Sequence, residues 1–213
     1  MLTPRVEIQP LTPERWDDLV RLFGPRGACG GCWCMHWRLT HADYERRKGL
    51  ANRRAMQRLV AKGAEAPGVI AYVDDEPVGW CAVAPRETFV RLARSRVLRP
   101  VDSEAVWSIV CLFVARAYRR RGVSVALLEG AAGFAADRGG TIVEGYPVDA
   151  RRGEVPAVFA WTGTLAAFRA AGFQEVARRS AERPIVRRRI AREATRPGRP
   201  AERRLRQRPE AGN

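Results

Sequence analysis

A chain of 213 residues can bury one sizeable core without disulfide or metal staples, and its formal net charge is +15, from 38 basic and 23 acidic residues. No apolar run reaches membrane-spanning length and no charged-then-apolar leader opens the chain, so a cytoplasmic protein with no membrane partner is expected. Five cysteines, an odd number, point to a reducing compartment and away from a disulfide framework.

Arg5 to Gln9 alternates and predicts a first strand. A helix follows, with Thr12 as N-cap, Pro13 in the first turn, and Trp16, Leu19, Val20 and Phe23 as its buried stripe; Gly24-Pro25 ends it. Next comes Cys29-Gly-Gly-Cys32-Trp-Cys34-Met-His36-Trp37-Arg38. Three thiols and an imidazole could supply four tetrahedral zinc ligands. Cys32 and Cys34 are separated by a single residue, however, and no second ligand pair follows. The segment reads better as a tight Gly-Gly turn whose thiols and aromatics join the core, and no metal is expected.

Thr40 to Lys62 is rich in charge and helix formers and breaks at Gly49. Val69 to Val73 and Val78 to Ala84, joined by Asp74-Asp75-Glu76-Pro77, predict a hairpin. Pro85 to Asp102 reads as a helix plus loop. Ile109 to Val114 reads as a buried strand, Arg119-Arg120-Arg121-Gly122-Val123-Ser124 as a basic turn, and Leu127, Leu128, Ala131, Phe134 and Ala135 as the stripe of a helix. Strand, glycine turn and helix start suit a phosphate: the first helical N–H groups lack internal partners and the helix dipole favours an anion there. Thr141 to Pro147 predicts a parallel strand and Arg151 to Pro156 a polar loop. Trp161 to Phe173 predicts a short helix ending at Gly172, and Gln174 to Ala177 with Pro184 to Arg189 an antiparallel pair.

Arg119-x-x-Gly122-x-Ser124, after a Leu-Phe-Val strand end and before Leu-Leu, resembles the acyl-CoA-binding motif of the GNAT N-acetyltransferase superfamily, with Ser124 a small-residue variant of its last position. The helix-Ala-Gly-Phe-strand ending is a second point of resemblance. The Cys-Trp-Cys-Met turn is similar to one in a bacterial group of that superfamily. The resemblance implies an α/β (α+β) GNAT acyl-CoA N-acyltransferase fold, with a mixed central sheet flanked by helices. Residues 1–190 would form the domain. Residues 191–213 would be a basic, solvated, disordered tail; from Arg187 onward there are ten arginines and three glutamates.

The same resemblance implies acetyl-CoA as cofactor, with its pyrophosphate on Arg119, Arg120, Arg121, Gly122, Val123 and Ser124. The pantetheine arm would lie along a strand bulge near Leu112, Phe113 and Val114, and a backbone N–H there would stabilise the oxyanion. The glutamate that many members carry on the central strand is Ser108 here, and the tyrosine of the last helix is Phe168. Glu144 and Tyr146 on the neighbouring strand are the replacement candidates for base and acid. Cys111 reads as inert packing. In this fold the segment after the first helix lines the acceptor site, so Trp33, Met35 and Trp37, with Trp80, would form an apolar wall. With Asp149 nearby, that wall would suit a small cationic amine.

The implied activity is acetyl transfer to a small-molecule amine by direct attack in a ternary complex. Two other readings stand beside it: an acyl-CoA-binding or sensing module without turnover, and a nucleic-acid-associated protein acting only through its arginine tail. The oligomeric state stays open, with a dimer compatible.

Overall fold

Apolar, β-branched segments form the centre of the molecule, a mixed sheet of seven strands in the order β1-β2-β3-β4-β5-β7-β6. The computed structural model describes residues 6–63, 65–149 and 161–190. The strands are β1 Glu7–Pro10, β2 Gly68–Val73, β3 Glu76–Pro85, β4 Trp107–Val114, β5 Ile142–Gly145, β6 Gln174–Arg178 and β7 Pro184–Arg189. β4 and β5 run parallel; every other pair is antiparallel. The helices are α1 Trp16–Phe23, α2 His41–Arg46, α3 Leu50–Ala61, α4 Val90–Ala93, α5 Val123–Ala136 and α6 Leu165–Ala170. The architecture is α+β, a mixed sheet flanked by helices.

Both faces of the central strands are covered, which explains their near-continuous hydrophobic runs. On one face, α5 lays Val123, Leu127, Leu128, Ala131 and Ala135 over Val69, Ala71, Val78, Cys81, Val83 and Ile109. On the other, Leu19 and Phe23 of α1 join Trp33, Met56, Ile70, Trp80, Val110 and Tyr146 in a second core. The β2–β3 hairpin turns at Asp74 and Asp75, with φ of 49° and 62°; two left-handed central residues match the strand twist.

Several boundaries differ from expectation for local reasons. The first strand starts at Glu7 in the described residues. Thr12 does not cap a helix: its hydroxyl accepts from Arg15 Nη1 at 3.3 Å, Pro13–Arg15 forms a 3₁₀ turn, and α1 begins at Trp16. β4 begins two residues before the apolar run, because Trp107 and Ser108 pair with Pro85 and Ala84 on one side and Val143 and Glu144 on the other. The closing pair does not simply append to the sheet. β7 enters between β5 and β6 and aligns Arg187 with Glu144. The expected tail, 191–213, and the predicted polar loop, 151–156, lie outside the described residues.

Candidate active site

The turn before α5 has the geometry of an anion cradle. Gly122 is the N-cap of α5 at φ 82° and ψ −8°, a left-handed conformation that favours glycine. A Cβ built there would meet nothing within 4 Å, so the turn opens outward. Arg119, Arg120, Arg121 and Gly122 are exposed, Ser124 is half-buried and Val123 is buried. The Arg119 Nε donates to the Val114 carbonyl at 3.1 Å, tying the turn to the end of β4. The Arg121 guanidinium lies over the Tyr118 ring.

β4 leads into that turn and leaves its neighbour on the way. Its parallel pairing with β5 stops at Ile109 opposite Gly145, while β4 runs on to Val114. The strand is irregular at Val110, which the register with β3 skips. Val110 and Cys111 consequently sit on the same face. The bulge therefore falls before Leu112–Val114, where it was expected. The Ala115 N–H turns toward β3, on Val78, so alternation points the Leu112 and Val114 N–H groups to the edge that β5 has left.

That edge is covered by the chain itself. The Leu112 N–H donates to the Trp161 carbonyl at 2.7 Å, and the Val148 N–H to the Gly163 carbonyl at 2.9 Å. Thr162 between them is buried, and its hydroxyl accepts from Arg183 Nη1 at 2.9 Å. Residues 161–163 thus form a strap between β4 and the continuation of β5. Phe168 sits beneath the strap: a Cβ on Gly145 would come within 2.1 Å of its Cε1, and one on Gly163 within 2.8 Å of its Cε2.

Behind the strap lies a buried polar network. Glu144, with no exposed side-chain surface, accepts from Arg86 Nη1 at 2.8 Å and Arg187 Nε at 2.7 Å. The Tyr146 hydroxyl donates to Glu144 Oε1 at 2.6 Å and lies 2.8 Å from the Ser108 hydroxyl. Arg86 Nη1 also donates to that phenol oxygen. Arg187 continues to Asp102 at 2.6 Å. Burial and the neighbouring Glu144 push the Tyr146 phenol well above its ordinary value, so it stays protonated. The expected base is thus a carboxylate held by two guanidinium groups, and the expected acid a buried phenol whose proton Glu144 holds. Ser108, in the place of the familiar glutamate, is part of the same network.

The aromatic wall divides in two. Trp80 is fully buried and donates from Nε1 to Cys34 Sγ at 3.1 Å. Trp33 is buried against Trp16 and Phe23, with the Arg53 guanidinium over its ring. Met35 is buried in the same core. Trp33, Met35 and Trp80 are core residues, drawn inward by α1 and the sheet. Trp37 is half-buried, its ring 5.7 Å from that of Trp161. Asp149 is ion-paired with Arg178 at 2.9 Å.

The cysteine-rich turn does not gather its donors. Cys29 is exposed, Cys34 turns inward and His36 faces Arg91; among the described residues, no three such side chains could hold a metal. Trp33 and Cys34 are left-handed, at φ 46° and 57°. The Cys34 thiol is drawn below its ordinary value by a hydrogen bond from Cys111, then by Trp80 and the Arg38 guanidinium, against the opposing effect of burial.

The sequence offers His36 only as a possible zinc ligand and carries no signal of its surroundings in the fold. Its ring lies 5.0 Å from Trp161, 5.1 Å from Tyr44 and 5.3 Å from Trp37. Arg91 Nη1 is 3.0 and 2.7 Å from its ring nitrogens and donates to one of them. Burial, then the Arg91 charge, lowers its pKa to about 4. Two buried donors beside it, Trp37 Nε1 and Arg91 Nη2, have no acceptor among the described residues. Leaving a buried donor unsatisfied costs about 1–3 kcal/mol.

The family model described as "Acetyltransferase (GNAT) family" matches residues 33–150. Solved structures share the fold at low identity. One, an acetyltransferase of the GNAT family from Streptococcus pneumoniae, is 13% identical with a TM-score of 0.51, covering 88% of this chain and 100% of its own. Another, from Streptococcus agalactiae, is 13% identical with a TM-score of 0.52, covering 87% and 96%. A third, from Listeria monocytogenes, is 8% identical with a TM-score of 0.52, covering 87% and 95%. No curated protein matches the chain in sequence.

Proposed function

This chain belongs to the GNAT family of acetyltransferases, and from that premise we propose that it moves the acetyl group of acetyl-CoA to a small-molecule amine by direct attack in a ternary complex. The left-handed Gly122 turn carries this reading: it opens the first amides of α5, among three exposed arginines, at the end of the strand that β5 abandons. A pyrophosphate fits there, over the α5 amides and beside Arg119, Arg120 and Arg121. The pantetheine arm would follow the Leu112–Val114 edge, exchanging its amide for the Trp161 carbonyl.

Bound acetyl-CoA supplies an activated thioester. The residues of the chain supply position and charge. An N–H of this edge other than the one that takes the pantetheine amide would face the developing oxyanion. Ser108, Tyr146 and Glu144, locked by Arg86 and Arg187, hold the wall of the slot fixed. Phe168 has no proton to give, so orientation of the two substrates, with the amine proton passing to solvent, carries the rate.

The reading is tested by titrating acetyl-CoA calorimetrically into wild type, Gly122→Ala and Gly122→Glu. Both variants carry the same left-handed backbone strain and meet no neighbouring atom at Cβ. Binding kept in the alanine variant and lost in the glutamate variant supports the pyrophosphate site. No binding to wild type would overturn it.

A further inference from the structure

Trp37 Nε1 and Arg91 Nη2 are buried donors without an acceptor among the described residues, and both side chains touch His36. The Arg91 backbone N–H also donates to the Trp37 carbonyl at 3.2 Å, which ties the two residues together. Tyr44 lies under the guanidinium, 5.4 Å away, and the His36 ring takes Nη1, which fixes the plane of the fork and leaves Nη2 to whatever enters. Among the described residues no carboxylate pairs with Arg91; the nearby Glu45 is bonded to Lys48 at 2.5 Å. A site with two fixed N–H donors, one of them cationic, and no acceptor of its own is complementary to a carboxylate.

We propose that Trp37 and Arg91 form an acceptor subsite for a carboxylate, so that the amine substrate is of the amino-acid class. The inference rests on the acyl-transfer reading and deepens it. Its position follows from Trp161. The ring of that residue meets His36 edge-on at 5.0 Å and lies tilted against Trp37 at 5.7 Å, and its carbonyl sits on the Leu112 N–H. A single residue therefore spans from the subsite to the transfer edge, and moving the strap joins them. The acids that would hold a simple cationic amine are engaged elsewhere, Glu144 with Arg86 and Arg187 and Asp149 with Arg178. The Arg91 charge also disfavours the ammonium form of an amine bound beside it, which is the form that cannot attack.

The experiment follows thiol release from acetyl-CoA with a set of amino acids, the same compounds as carboxamides, and the corresponding decarboxylated amines. The acids should exceed their amides in kcat/KM by roughly tenfold or more. Arg91→Gln should raise KM for the acids and bring the acid-to-amide ratio toward one, with kcat changed less. Arg91→Lys should restore part of the preference. Acetyl-CoA titration of each variant separates a folding defect from loss of the subsite. Equal use of acids and amides, or preference for the decarboxylated amines, overturns the proposal while leaving the donor site standing, as does acetyl-CoA binding with no acid acetylated. If acetyl-CoA does not bind at all, the acyl-transfer reading fails, and the Trp37 indole N–H resonance judges the subsite. A shift with N-acetylglycine but not its amide upholds it, and no shift removes it.

Discussion

The Leu112 N–H and the Trp161 carbonyl, 2.7 Å apart, close the edge of β4 that β5 leaves open. A pantetheine amide seeking that N–H has to displace this bond. The strap is held from above by the Trp161 ring on His36 and Trp37, and an aromatic pair contributes about 0.5–1.5 kcal/mol beyond its buried area. Trp161→Ala should therefore populate the open state more and tighten acetyl-CoA binding, by roughly five- to tenfold. Calorimetric Kd values for the two proteins test this. Weaker binding by the variant would show instead that the ring forms part of the donor pocket.

Glu144→Gln separates a structural carboxylate from a catalytic one. The substitution leaves Arg86 and Arg187 as buried cations without their shared counterion, and breaking such a pair costs about 3–5 kcal/mol. Urea unfolding should show a loss of that order. A stability near wild type with collapsed turnover would restore Glu144 as the base.

The His36 imidazole should titrate near pH 4 in the folded protein, and its ring signals followed by NMR report this directly. A folded-state value below the ordinary 6.5 means that the fold disfavours the protonated ring. Its contribution to stability is complete above about pH 6.5 and drains away as the pH falls toward 4. Burial is the leading cause and the Arg91 charge the next, with His41 and Lys48 adding and Glu45 opposing. Arg91→Gln should raise the titration midpoint. A midpoint at the unperturbed value would mean that the ring is solvated and that the cluster around it is open.

Local chemistry carried the fold a long way. The Gly122 turn was legible because a glycine between a strand and an apolar helix accepts the left-handed backbone that starts α5. The β2–β3 hairpin was legible because Asp74 and Asp75 accept left-handed backbone. What stayed hidden depends on partners distant in the chain. Trp37 and Trp80 are the same residue type, yet one lies beside the slot and the other in the core, decided by α1 and Cys34 rather than by neighbours in sequence. Glu144 looks like a strand carboxylate until Arg86, 58 positions away, and Arg187, 43 away, are brought to it. The Trp161 contact is made by a backbone carbonyl, which every residue possesses, so no side-chain pattern could announce it.

Among the described residues, the ladder that joins the first four strands to the last three runs through Trp107, Ser108 and Ile109. Charge reinforces it. Arg86 comes from just past the end of β3, Ser108 from β4, Glu144 from β5 and Arg187 from β7, so one buried carboxylate clasps both halves of the sheet beside the gap that a cofactor would enter. A single side chain therefore joins segments that are far apart in sequence, and a change at Glu144 is felt in both halves of the sheet at once.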